Sequence, residues 1–483
     1  MKKKLLLALP FFFFPTIAFS QSIPDWKSYQ STGNPADMVR SAGTADSVAA
    51  WLGKKVDVTD GTLTNPTLTG GVETTSPSDK PGAAGTAIPN TFWVDTYYQP
   101  RTTFISTNTT WTVCASGCTY TSPLTAWNAA VSANFISGAT LTVSISDGTY
   151  NISDQFYTGT ANTHHVKVVG NTTTPARVVL NFTNAKGTNL SGFAACNGGQ
   201  IGLIDGVTIQ QPLDGTGALA SVDSSGRHIW NNQSYGGGIQ AYGAGSNIQV
   251  GSHVVIKDFY YSMVADNNGG IDAPNGGVTM SVAGDVNAMA RGGGVIVCTP
   301  CSATDVSDYT DPDIQLGSNY DAERGGSLYI DGSTGSKSLI SGIVGLTGGH
   351  IWAHNTTFTG SLISGSGNGA WITGNSSVEF TGSRFSGYNN GVNATTGGEA
   401  AIDNCTITGN TVGVLADGGH INGNSATITN NTQYGIQALH QGNVVLFGTY
   451  SKMSGNGTNF STQAAGTQSV SGTSYAASSI DVQ

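Results

Sequence analysis

Glutamate is almost missing from this chain. It occurs only at Glu73, Glu323, Glu379 and Glu399, and charged residues of all kinds make up 10% of the 483. Long amphipathic helices draw on Ala, Leu, Glu and Lys, and few stretches here are rich in them, so an α-helical architecture is excluded for most of the chain. Basic clusters are also lacking. A net charge of −10 argues against nucleic acid as a partner, because phosphate binding needs gathered Lys and Arg. Beyond the first 20 residues no segment is apolar enough to cross a membrane. What the chain does have is 67 glycines among abundant Ser, Thr, Asn and Val. Short alternations of these favour many short strands joined by tight turns.

The first 20 residues stand apart. Lys2-Lys3-Lys4 precedes an apolar run from Leu5 to Ile17, and Ala18-Phe19-Ser20 before Gln21 has the small-x-small form of a cleavage site. Residues 1–20 are therefore expected to be a secretory signal peptide. The rival, a membrane anchor, is disfavoured because the run is shorter than the roughly 18–20 residues a span needs and Pro10 and Pro15 interrupt it. The mature protein is expected to be secreted, periplasmic or on the cell surface, with no membrane span.

A repeat organises the C-terminal half. Ala370, Val392, Val414 and Ile436 are each preceded by Gly and follow one another at intervals of 22 residues. A second column runs through Phe358, Phe385, Ile407, Ile428 and Met453, spaced 27, 22, 21 and 25. A third landmark is the turn in "GGHIW", "GGEAA", "GGHIN" and "QGNVV". Three landmarks advancing together mark a solenoid. Within each phrase apolar residues alternate with Thr, Ser or Asn at period two, which specifies strands, and no window between landmarks has room for a helix. The expected fold is all-β, a parallel β-helix with coils of about 22 residues, running over 135–455 in about 14 coils. Each column should then become a ladder of touching inward side chains. Longer spacings are expected to be loop insertions.

The flanks read differently. Residues 21–90 are expected to be an N-terminal stem and a linker rich in Pro, Gly and Ser, and 91–134 a cap region. In "PLTAWNAAVSANF" the residues Leu124, Trp127, Val131 and Phe135 fall on one helical face, so a short helix should plug the exposed strand edges there. The tail 456–483 has little to bury. Cys114 with Cys118 and Cys298 with Cys301 are close enough for local disulfides, with a zinc site the weaker rival for the second pair. Cys196 and Cys405 lie about nine coils apart, too far to pair, and are expected to be buried thiols.

The phrases "PLTAWNAAVSANFISGATLTVSISDGTYNISD", "VKVVGNTTTPARVVLNF" and "GSNIQVGSHVVIKDFYYSMVADNNGGI" resemble the β-helix of phage and prophage tail-spike or tail-fibre proteins, and "DVTDGTLTNPTLTGG" is similar to their stem. The resemblance covers about residues 50–350. It implies a right-handed, pectin-lyase-like β-helix, often a homotrimer, that binds a bacterial surface glycan and sometimes cleaves it. It also implies a virion location for a true tail protein, although tail spikes usually lack the leader found here.

Candidate sites follow from this frame. The Asn-Thr-Asp, Asp-Asp and Gly-His-Gly phrases of hydrolases with this fold are not intact, so catalytic residues stay unassigned. The insertion "CSATDVSDYTDPDIQLGSNYDAERGG" gathers Asp305, Asp308, Asp311 and Asp313, with Asp321, Glu323 and Arg324 following. It reads first as a solvated acidic loop between coils, so no cofactor is expected, with a Ca²⁺ site as the alternative. Asp205, Asp258 and Asp403 read as turn-formers. If Ile351 faces inward, His350, Trp352 and His354 face outward, and with Ala370 inward so does Trp371. Two outward tryptophans on neighbouring coils would form a patch suited to stacking on sugar rings or to burial in a trimer interface. Arg227, His228, Trp230 and Tyr235 form a second aromatic group. The leading expectation is an exported glycan-binding β-helix. Its rivals are a polysaccharide lyase or glycosidase and a structural stalk or adhesin.

Overall fold

The computed structural model describes residues 103–482 apart from 137, 184–190, 212–218, 223–227, 231–235, 307–316, 339, 361–366, 448–451 and 463–478. It also describes an antiparallel pairing of Val58–Thr59 with Thr62–Leu63, in a unit, 1–101, separate from the rest. The expected leader and most of the expected stem and linker lie outside the described residues.

From Thr109 onward the chain winds as a parallel β-helix of three sheets. Sheet I holds 12 strands from Gly148–Ile152 to Lys452–Ser454, sheet II 12 strands from Phe156–Thr158 to Thr458–Thr462, and sheet III 14 strands from Thr109–Val113 to Ser479–Val482. One coil visits them in order, as in Arg384–Ser386 (I), Asn390–Thr395 (II) and Glu399–Asp403 (III). The ladder therefore starts before the expected limit of 135 and ends after 455. It contains fewer full coils than the expected 14 because insertions take up chain. Connections 183–192, 211–236, 307–317 and 360–367 all fall at the same corner, between a sheet I strand and a sheet II strand.

The inward columns are those the repeat specifies. Ala370, Val392, Val414 and Ile436 pair in succession in sheet II and have no exposed surface. Phe358, Phe385, Ile407, Ile428 and Met453 pair in succession in sheet I, all but the partly buried terminal Met453 without exposed surface, and the Phe358 and Phe385 rings stack at 5.5 Å. Each fully buried Ile or Phe contributes roughly 1.5–3 kcal/mol, and the period-two alternation delivers such residues from every strand.

The corners have their own chemistry. A carboxamide ladder closes the turn from sheet I to sheet II in the last coils. The Asn410 backbone N–H donates to Asn431 Oδ1 at 3.1 Å, and the Asn431 backbone N–H to Asn456 Oδ1 at 2.9 Å. The Nδ2 groups of Asn431 and Asn456 donate back to the carbonyls of Ile407 and Ile428, satisfying groups that the bend would otherwise orphan. At the turn from sheet II to sheet III, Gly397 has φ +76°, and a Cβ on Gly398 would collide with the Ile372 carbonyl of the coil below. That collision explains the recurrent Gly pair. Asp205 and Asp403 cap turns in the next coil, accepting from the backbone N–H of His253 at 2.9 Å and of Asn424 at 2.7 Å. Asp258 itself takes φ +64°.

A helix, Pro123–Val131, covers the N-terminal end, capped by Ser122 with Pro123 in its first turn. Its buried face is Pro123, Ala126, Trp127 and Ala130. Leu124 and Val131 pack only partly, and Phe135 lies beyond the helix in the strand Asn134–Phe135, stacked on His165. Trp127 fills the solenoid mouth against Phe156 and Phe193, and its Nε1 donates to the Tyr157 carbonyl at 3.1 Å. Cys114 is bonded to Cys118 and Cys298 to Cys301, while Cys196 and Cys405 are free. Cys405 is buried as expected, and burial pushes its thiol up to about 12. Cys196 departs from expectation: it is only half-buried, because it falls on the column of outward-facing Tyr242.

Candidate ligand-binding flank

Sheet III presents one outward column that changes character along the axis. Tyr329, Trp352, Glu379, Ala401 and Asn422 occupy equivalent places on five successive coils. Each lies three residues beyond a Gly, or Ser at Ser376, that closes the turn, and each has a buried residue immediately before it. The Tyr329 and Trp352 rings lie at 4.4 Å with an interplanar angle of 3°. This spacing follows from the distance between coils. Beyond the indole, the small Ala401 leaves a depression of about 260 Å³ lined by Trp352, Glu379, Glu399 and Asn422 over a floor that includes Ala400.

Polar groups rim this platform. His354 lies at the corner after the strand and is held from both sides, Nδ1 3.3 Å from Asp331 Oδ1 and Nε2 3.3 Å from Glu379 Oε1. Its backbone N–H also donates to Asp331 at 2.9 Å. His350 is exposed, 2.7 Å from the Ser377 hydroxyl through Nδ1, with its ring 6.2 Å from that of Trp352. The structure thus brings together three of the four expected residues, His350, Trp352 and His354.

Trp371 does not join them. Ile351 and Ala370 are buried as expected and both tryptophans turn outward, but Trp371 lies on sheet II, where its Nε1 donates to Thr395 Oγ1 at 3.3 Å. The expected patch across neighbouring coils does not exist. Alternation fixes inward against outward, yet not which of three sheets a strand joins. Trp352 follows its Gly turn, whereas Trp371 precedes the next one. Tyr329, Glu379, Glu399 and Asn422 are not singled out by alternation, but aligning "GGSLY", "GGHIW", "NSSVE", "GGEAA" and "GGHIN" on the turn brings them out.

The outer face of sheet II carries a different chemistry. Asp321 is buried, and neither carboxyl oxygen has a hydrogen-bond partner among the described residues. Burial, then Glu323 and Asp285, push its carboxyl well above the usual range. Asp285 is buried too and is pushed up to about 7 by burial and by Glu323, against hydrogen bonding from Gly317 and Tyr260. Asp266, Arg291 and Glu323 form the adjacent outward column, with Arg291 Nε 2.9 Å from Asp266 Oδ2. Tyr260, Tyr261, Val264, Val286 and Met289 pack into a small apolar cluster there. Trp371 stands two coils from Asp321 on the same column.

Of the other expected sites, Asp308, Asp311 and Asp313 lie outside the described residues, as do Arg227 and Tyr235. Asp305, His228 and Trp230 are described as backbone only. Among the described residues no three His, Cys, Asp or Glu side chains converge as metal ligands would, and no helix is long and apolar enough to cross a membrane.

Residues 321–474 match the family of right-handed β-helix regions, and the coils before them continue the same three sheets. The fold is a right-handed parallel β-helix. No curated protein matches the chain. Among solved structures, it is similar at 11% identity and a TM-score of 0.34 to the A-module of the Azotobacter vinelandii mannuronan C-5 epimerase AlgE6, covering 67% of this chain and 89% of that one. It is similar at 10% identity and a TM-score of 0.29 to the catalytic domain of a GH87 α-1,3-glucanase in complex with nigerose, covering 66% of this chain. The chain spans 61% of that domain's length.

Proposed function

We propose that this protein is an exported, tail-spike-like β-helix that binds a cell-surface or extracellular polysaccharide along the flank of sheet III. One observation carries the reading. The Tyr329 and Trp352 rings stack in parallel planes and are only partly buried, and the indole borders a depression lined with carboxylate and carboxamide groups. Stacked aromatic rings bind through their faces, and the polar groups beside them fix orientation. A purely structural stalk has no need of such a built depression.

The test is retention of the mature protein on immobilised bacterial surface polysaccharides. Trp352→Ala should weaken retention at least tenfold, while Trp371→Ala, on another sheet, should leave it unchanged. Retention unaffected by Trp352→Ala would refute the reading.

A second reading, a glycosidase or lyase, draws on the sheet II flank, where unpartnered Asp321 sits with Asp285 and Glu323 and Trp371 is nearby. A carboxyl kept protonated by burial is suited to act as a general acid. New reducing or unsaturated ends released by the wild type but not by Asp321→Asn would favour this reading.

A further inference from the structure

The charge of the sheet III flank narrows the glycan it takes. Two of the four glutamates in the chain, Glu379 and Glu399, line the same depression as Trp352. They stand on neighbouring strands, with Glu379 opposite Ala401 and Glu399 opposite Ser377. Glu399 is exposed, and its carboxylate has no partner among the described residues. Glu379 is matched by His354, which also faces Asp331. No Lys or Arg lines the depression. Among the described strands of sheet III the only Lys or Arg is Lys167, in Val166–Val169, near the far end of the solenoid. The outward face therefore repels anionic polymers, and an uncharged sugar would leave Glu399 without a counter-charge and Glu379 with only the His354 it shares with Asp331. An ammonium group on a sugar ring would meet both carboxylates while lying over the indole, which attracts cations through its face. The volume of about 260 Å³ is below that of pockets holding drug-sized ligands and suits one sugar ring.

We infer that the depression beside Trp352 takes a hexosamine unit with a free amino group, so that the ligand is a cationic, at least partly deacetylated amino-sugar polymer. This rests on sheet III being the binding flank. Glu379 and Glu399 receive the ammonium group, Trp352 packs on the ring, and Ala401 leaves the space.

Calorimetry at pH 6 with the mature protein tests it, using glucosamine, N-acetylglucosamine and mannuronate oligomers of equal length. The glucosamine oligomer should bind at least tenfold tighter than its acetylated counterpart, weaken as salt is raised, and lose about tenfold with either Glu379→Gln or Glu399→Gln. Binding of the acetylated oligomer should not change in those variants, and the mannuronate oligomer should not bind. Equal affinity for acetylated and free amines, or preference for mannuronate, with Trp352→Ala abolishing either, would overturn the inference and leave the binding flank standing. If no oligomer binds, or if Trp352→Ala changes nothing, the flank reading itself fails and the inference with it.

Discussion

Asp285 makes the stability of this protein fall with rising pH, opposite in sign to the usual paired carboxylate. Its side chain is buried and titrates at about 7 in the fold, against an ordinary value of 3.8. Between those values the folded chain holds a proton that the unfolded chain has released. Unfolding free energy therefore declines with pH across that window. The contribution is intact below about pH 4 and gone above about pH 7. Three pH units at ~1.4 kcal/mol each set an upper figure of about 4 kcal/mol. Asp258, raised to about 6 by burial despite Lys257, adds up to about 3 kcal/mol in the same direction. Asp285→Asn keeps the shape and removes the charge. Its urea midpoint should match that of the wild type at pH 4 and exceed it at pH 8. The comparison between the two proteins cancels ion pairs of opposite pH dependence, such as Arg291–Asp266. Asp285 also helps to raise Asp321, so Asp285→Asn combined with Asp321→Asn should gain less than the sum of the two. Parallel midpoint-against-pH curves for wild type and Asp285→Asn would refute the reasoning.

Two further outcomes follow from the core. Asn431→Ala removes the middle of the carboxamide ladder, taking the side-chain partner from the Asn410 backbone N–H and the Ile407 carbonyl, while Asn456 Oδ1 keeps the backbone N–H of residue 431. It should cost on the order of 3 kcal/mol in denaturant unfolding, whereas Thr429→Ala on the outer side of the preceding strand should cost under 1 kcal/mol. Cys405, buried and pushed up to about 12, should resist iodoacetamide in the native protein and react fully once unfolded, as read by mass spectrometry. Half-buried Cys196 should label first.

How much of this was legible in the sequence differs between the inside of the solenoid and its outside. The inward ladder from Ala370 to Ile436 was readable because each member must fit against the one below, and that requirement writes the same residue type every 22 positions. The Gly turns were readable because Gly398 has the carbonyl of Ile372 against it. Insertions blur the upstream repeat, yet 183–192, 211–236, 307–317 and 360–367 fall at one corner, where they lengthen a coil without shifting any inner column. Outward positions are under no such constraint. Tyr329, Trp352, Glu379, Ala401 and Asn422 share a column and no chemistry, so residue type does not announce them and only their constant distance from the turn does. An outward Trp is conspicuous, which makes Trp352 readable, whereas alternation alone cannot separate it from Trp371 because a coil has three outer faces. Asp321 stood beside an acidic insertion, and only its position on sheet II separates it from that loop.

That freedom of the outer columns is what lets one fold carry two unlike flanks. Coil stacking fixes every outward side chain about 4.8 Å from its neighbours above and below, so the order of residues down a column determines the surface directly. On sheet III, two aromatics followed by an acid and then Ala401 yield a flat ring face that ends at an acidic hollow. On sheet II, Val264, Met289, Asp321 and Val344 yield a column that is buried throughout, and an acid placed there loses its water instead of meeting a ligand in the open. The same residue type, a carboxylate, is thereby suited to recognition on one flank and to holding a proton on the other. Exchanging Ala401 for a large residue should close the hollow while leaving the inner ladders and the pH dependence set by Asp285 untouched, because the two flanks share the core and nothing else.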